Sequence, residues 1–147
     1  MKISTKGRYA LRLMLDLAIN QTSGYIPLKA VAQRQEISDK YLEQIIHQLS
    51  KNGSVVSARG AQGGYRLARR PEEYTVGEIL RTVEGSLAPV SCLDCSTPCD
   101  KIDSCITIGL YKKIQNAIDG IVDHTTLADM INDFRQKQAA AKKSGSV

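Results

Sequence analysis

All four cysteines of this 147-residue chain, Cys92, Cys95, Cys99 and Cys105, fall in one window, Ser91-Cys-Leu-Asp-Cys-Ser-Thr-Pro-Cys-Asp-Lys-Ile-Asp-Ser-Cys105. A disulfide framework spreads its cysteines to close long loops, whereas sulfur ligands for one inorganic centre must converge on a point, which a short loop bearing Pro and Asp permits. The window therefore reads as a ligand cage for a metal or an iron-sulfur centre. Four close thiols also suit tetrahedral zinc, although such sites usually present two Cys-x-x-Cys knuckles and only Cys92 and Cys95 have that spacing. Thiol redox chemistry is a third reading. An electron-transfer protein is a fourth, but no nucleotide loop or flavin motif accompanies the cysteines, and the two histidines, His47 and His124, are far from them in sequence.

The net charge of +5 is unevenly placed. Residues 1–70 hold twelve Lys and Arg against four Asp and Glu, and the remainder holds eight against eleven. A basic first half beside an acidic second half is the footprint of a chain whose first part meets a phosphate backbone. A solvated cationic surface would look the same. The charged N-terminus has no apolar run leading to a cleavage site, and no stretch approaches the ~20 apolar residues of a membrane span. The expectation is a cytoplasmic protein with reduced thiols and no membrane partner.

The elements that must position these residues follow from periodicity. Tyr9, Ala10, Leu13, Met14, Leu17 and Ala18 recur at helical spacing and predict a helix over 5–20, capped by Ser4 or Thr5. After Gly24-Tyr-Ile-Pro27, a short amphipathic helix turns Leu28, Val31 and Ala32 inward. Ser38 then caps a third helix, with Asp39 in its first turn, Leu42, Ile45, Ile46 and Leu49 as its apolar stripe, and Asn52-Gly53 at its end. Its other face carries Lys40, Tyr41, Glu43, Gln44, His47 and Lys51, residues able to reach base edges or phosphates. A short helix, a tight turn and a third helix make a helix-turn-helix. Val55–Leu67 reads as a β-hairpin whose tip, Arg59-Gly60-Ala-Gln-Gly-Gly64, suits a wing entering a minor groove. Thr75-Val-Gly-Glu78 fits a capping box for a helix with Val76, Ile79, Leu80 and Val83 inward, ending at Gly85. Leu110, Ile114, Ala117, Ile118 and Ile121 mark a long helix whose stripe suits either internal core or a partner. A last helix starts at Thr125-Thr-Leu-Ala-Asp129 and is expected to end near Gln136.

The blocks Met1-Lys-Ile-Ser-Thr-Lys-Gly-Arg-Tyr-Ala10, Ile37-Ser-Asp-Lys-Tyr-Leu-Glu-Gln44, Arg59-Gly-Ala-Gln-Gly-Gly-Tyr65 and Val83-Glu-Gly85, together with the cysteine loop, resemble the IscR-type family of bacterial winged-helix transcription regulators, whose branches include NsrR-type and CymR-type proteins. The resemblance implies a mainly α fold with a small β-hairpin wing. Residues 1–85 would form the winged helix-turn-helix domain, 86–105 the cluster loop, 106–136 the dimerisation and C-terminal helices, and 137–147 a disordered tail. It also implies a homodimer bound to a double-stranded DNA operator. Ser38, Tyr41, Gln44 and Arg59 would contact DNA, Gly60 would be a further DNA-binding residue of the wing, Lys40 would meet phosphate and Glu43 would choose between operators. The implied cofactor is a 2Fe-2S cluster, zinc being the alternative. Cys92, Cys99 and Cys105 match the family's three cysteine ligands, while its histidine ligand is replaced here by Ile108 and the carboxylate ligand of the NsrR type by Arg8. Cys95 is thus the candidate fourth ligand. A fourth thiolate in place of a neutral imidazole would make the centre more negative, harder to reduce and less responsive to pH near neutrality.

Overall fold

The structure is a computed structural model that describes residues 2–94 and 99–145. Its first helix, α1 (Thr5–Asn20), begins where Ser4 Oγ accepts the Gly7 N–H at 3.2 Å, and it buries Ala10, Leu13, Met14 and Leu17 completely. Burying each of the three larger side chains contributes about 1.5–3 kcal/mol, so α1 is the axis around which the first half condenses. Helices α2 (Leu28–Gln35) and α3 (Asp39–Lys51) pack on it through Val31, Ala32, Leu42, Ile45 and Leu49. The turn between them passes through Glu36, whose φ of 55° is left-handed and lets its N–H reach Ala32 O. Buried Asp16 ties α1 to the end of α2, accepting hydrogen bonds from Arg34 Nη2 at 2.6 Å and Gln35 Nε2 at 2.8 Å.

Strands β1 (Val55–Ala58) and β2 (Gly64–Leu67) pair antiparallel, Val55 opposite Leu67 and Ala58 opposite Gly64. An isolated bridge from Ile26 to Tyr65 fastens the hairpin to the chain entering α2, with hydrogen bonds of 2.8 Å in both directions. Gly64 is required there, because a Cβ on it would fall 2.2 Å from Ile26 O. Below the hairpin, fully buried Tyr74 donates its hydroxyl to Ser54 O at 2.7 Å and accepts the Arg69 N–H at 2.9 Å.

Helix α4 (Val76–Glu84) buries Ile79, Leu80 and Val83 and stops at Gly85, φ 83°. Helices α5 (Ile108–Val122) and α6 (Leu127–Ser144) complete the chain. The mainly helical fold with its two-stranded wing is the one read from the sequence. Two local expectations change. Thr75 accepts the Glu78 N–H, but Glu78 turns its carboxylate to Arg69, so only half of the capping box forms. The box forms instead at α6, where Thr126 and Asp129 cap each other at 3.1 and 2.8 Å. The last helix does not end near Gln136 with a disordered tail behind it. It continues to Ser144, because Ala139, Ala140 and Ala141, followed by Lys142 and Lys143, are strong helix formers with cations at the favourable end.

Candidate nucleic-acid interface and cysteine loop

Helix α3 divides cleanly. Leu42, Ile45, Ile46 and Leu49 face the core, while Lys40, Glu43, Gln44 and His47 face out. These four, with Gln48 and Lys6 from α1, line an open groove of about 550 Å³. Lys6 was not among the residues expected at the site. It lies two helices away in sequence, and only the packing of α1 against α3 brings it alongside. No carboxylate pairs with Lys6, Lys40 or Arg59 among the described residues, so their charge faces outward unneutralised.

Ser38 and Tyr41 hold double positions. Ser38 Oγ accepts the Tyr41 N–H at 3.3 Å as the cap of α3, which leaves its own hydroxyl proton free to donate. Tyr41 was expected on the outward face, but its ring is half-buried and meets Tyr9 edge-on, centroids 5.7 Å apart at 77°. Part of what it does is to set the seat of α3 on α1.

At the wing, Gly60 adopts φ 102° and accepts the Gly63 N–H at 3.0 Å, and a Cβ on Gly63 would lie 2.3 Å from Ala58 O. Gly60 thus supplies the positive φ and Gly63 the close backbone approach that the tip needs, and Arg59 projects exposed beside them.

The cysteine loop leaves the winged-helix unit after Leu87. Cys92 sits in a 3-10 turn, Ser91–Leu93, and Cys105 follows a second, Ile102–Ser104. Cys92, Cys99 and Cys105 are free and half-buried, and Cys95 lies outside the described residues. The Cys105 thiol is held below its ordinary pKa, first by the Thr107 hydroxyl at 3.3 Å and then by the backbone N–H groups of Thr107 and Ile108. Among the described residues, no three Cys, His, Asp or Glu stand together in a group able to hold a metal ion. The donor chemistry suits an iron-sulfur group all the same: the ligand candidates are soft thiols, and one is already biased toward thiolate. His124, by contrast, bonds Gly120 O at 3.0 Å at the end of α5 and takes no part in this loop.

A helix-turn-helix with a glycine-tipped wing and an unneutralised cationic reading face defines a winged-helix DNA-binding protein. The family profile described as Rrf2, iron-dependent transcriptional regulator, matches residues 3–133. The chain belongs to this family of transcriptional regulators. It is 38% identical over 133 residues to the HTH-type transcriptional regulator IscR of Cronobacter sakazakii, covering 90% of this chain and 82% of that protein. It is 41% identical over 140 residues to the HTH-type transcriptional regulator CymR of Bacillus subtilis, covering 95% and 96%. Among solved structures, IscR of T. potens superposes with a TM-score of 0.76 at 40% identity, over 94% of this chain and 91% of that one. CymR, the global cysteine regulator of B. subtilis, superposes with a TM-score of 0.73 at 40% identity, over 88% and 95%. Among the described residues no helix is long and apolar enough to cross a membrane.

Proposed function

We propose that the chain is a homodimeric regulator that reads double-stranded DNA with α3 and the wing, and that a 2Fe-2S cluster in the cysteine loop sets its operator binding. The carrying observation is the outward face of α3, where Lys40, Glu43, Gln44 and His47 line a groove with Lys6 and no ion pair occupies them among the described residues. Direct readout needs that combination of base-edge donors, acceptors and phosphate-seeking cations. Cys92, Cys99 and Cys105 would hold the cluster, with Cys95 as fourth ligand. Bound there, such a group supplies one-electron redox chemistry and makes the order of the loop depend on iron and sulfide supply. Genes for cluster assembly, or for cysteine and sulfur supply, are the targets this reading implies, given the likeness to IscR and CymR proteins. The chain itself connects loop to reader: Cys105 lies just before α5, and α5 carries an apolar stripe suited to a second copy.

A second reading is favoured by the likeness to the CymR proteins, which is as strong as the likeness to the IscR proteins. On that reading the loop acts as a thiol switch or a zinc site. Reconstitution of the purified chain with iron and sulfide under strict exclusion of air separates the two. Visible absorption with equal iron and sulfide, and a difference between loaded and cluster-free protein in binding a random duplex library, are expected. A colourless protein with stoichiometric zinc, or with none and a DNA affinity that follows thiol oxidation, removes the cluster.

A further inference from the structure

The hinge between the winged-helix unit and α5 is built from few contacts, and they are specific. The turn joining α5 to α6 is pinned to the start of α4 by a bridge between Thr75 and Thr126, with the Val76 N–H on Thr125 O at 2.8 Å and the Leu127 N–H on Tyr74 O at 3.1 Å. This bridge fixes one point at the end of α5. No residue of α5 is fully buried, and Ile108, Tyr111, Ile118 and Val122 are only half-buried, so apolar packing within the chain holds the angle of α5 in part. Arg81 adds a polar clasp. From the solvent side of α4 its guanidinium donates to Asp119 Oδ1 at 2.6 Å and to both oxygens of Asp123, the Nη2 to Oδ2 contact being 3.2 Å. The two acids lie one turn apart, Asp119 on α5 and Asp123 as its C-cap, so a single planar fork spans them. Gln115 Nε2 holds Asp119 from the other side at 2.9 Å. Gly77 makes room for the clasp, since a Cβ there would fall 2.0 Å from Asp123 Oδ1.

Arg81 also borders the reader. With Thr82 it forms one wall of a groove whose other wall is His47, Gln48, Lys51 and Asn52, the C-terminal end of α3. One side chain thus touches the helix that would join the subunits while standing beside the helix that would read DNA.

We propose that Arg81 is a positioning residue for operator reading. By clasping Asp119 and Asp123 it fixes the angle between α5 and α3, and with it the separation of the two half-sites that a dimer accepts. The inference rests on the reading of the chain as a dimeric DNA reader joined through α5. Surface ion pairs add little to stability, so the role is geometric. A dimer with one fixed pose selects one half-site spacing, and a dimer with a loose hinge tolerates several.

The test uses the full chain as wild type, Arg81→Gln, Arg81→Lys and the paired variant Asp119→Asn with Asp123→Asn. Each is selected against a random duplex library and then measured on duplexes carrying two copies of the enriched half-site at stepped separations. The wild type is expected to prefer one separation by about tenfold, a typical coupling between linked elements. Arg81→Gln and the paired acid variant are expected to remain dimers, to keep their affinity for a single half-site and to lose that preference, with Arg81→Lys restoring part of it. The paired acid variant separates the clasp from a direct DNA contact, because it leaves the Arg81 cation in place. An unchanged spacing preference in it, or loss of single half-site affinity in Arg81→Gln alone, overturns the proposal. If the wild type enriches no sequence at all, the DNA-reading function fails first and takes this inference with it.

Discussion

Glu43 is the acid in a groove otherwise lined by Lys6, Lys40 and His47 together with two glutamines, and it has no ion-pair partner among the described residues. A carboxylate there repels phosphate, so its value lies in choosing bases, since it can accept from a cytosine amino group. Glu43→Ala is expected to leave affinity equal or higher while losing about 1–3 kcal/mol of discrimination at one base pair. Selection from a site library measures it, and an unchanged preference would remove the role. Arg59 makes the opposite case. It projects from a tip kept free of side chains at Gly60 and Gly63, so Arg59→Ala is expected to weaken binding to all sequences and to reduce the slope of affinity against salt by about one. A salt titration in which the slope stays fixed would place Arg59 off the DNA. In the loop, Cys99 is outside the core, so Cys99→Ala is expected to abolish iron uptake with the melting temperature of the apo chain unchanged. Retained iron at the wild-type ratio would exclude Cys99 as a ligand.

At the scale of elements, what the sequence disclosed was local and what it withheld was not. The stripe Leu42, Ile45, Ile46 and Leu49, the Ser38 cap and the glycine tip are written in residues a few positions apart, and the structure has them as read. The place of Lys6 beside α3, the seat of Tyr41 on Tyr9 and the diversion of Glu78 to Arg69 depend on which elements become neighbours, and periodicity carries no such information. The length of α6 is hidden for another reason: small residues and lysines look like a frayed end, yet alanine carries the highest helix propensity. The turn of the helix-turn-helix gives a sharper test of element-level reasoning. Glu36 occupies a left-handed conformation with an exposed side chain that makes no ion pair among those described, and a non-glycine residue there costs about 1 kcal/mol or more. Glu36→Gly is therefore expected to leave the fold unchanged and to raise stability by up to about 1 kcal/mol, the gain being offset partly by glycine's greater freedom when unfolded. A denaturant midpoint that falls would show that the Glu36 side chain contributes something the geometry does not reveal.

For the whole molecule, the question left open by the apolar stripe of α5 was whether it belongs to the chain's own core. It does not. Leu110 is 58% exposed, Ile114 38% and Ile121 67%, while Ile106 just before the helix is fully exposed. A row of large aliphatic residues facing water is costly at about 25 cal/mol per Å², and on a basic, otherwise well-packed chain it marks a surface that another surface covers. The face runs along the helix that carries the cysteine loop at one end and the Arg81 clasp at the other. A self-complementary pairing of two such helices would cover both stripes at once and set two copies of α3 side by side. Leu110→Glu combined with Ile114→Glu is expected to yield a monomer in sedimentation experiments. Its winged-helix unit should melt as before, because neither residue contributes to the core around α1. Operator affinity should fall by about 10²–10⁴-fold, the loss that follows when two linked readers become independent, while binding to a single half-site persists. A variant that remains dimeric would place the interface elsewhere, and a monomer with full operator affinity would show that one copy of α3 and its wing suffices for reading.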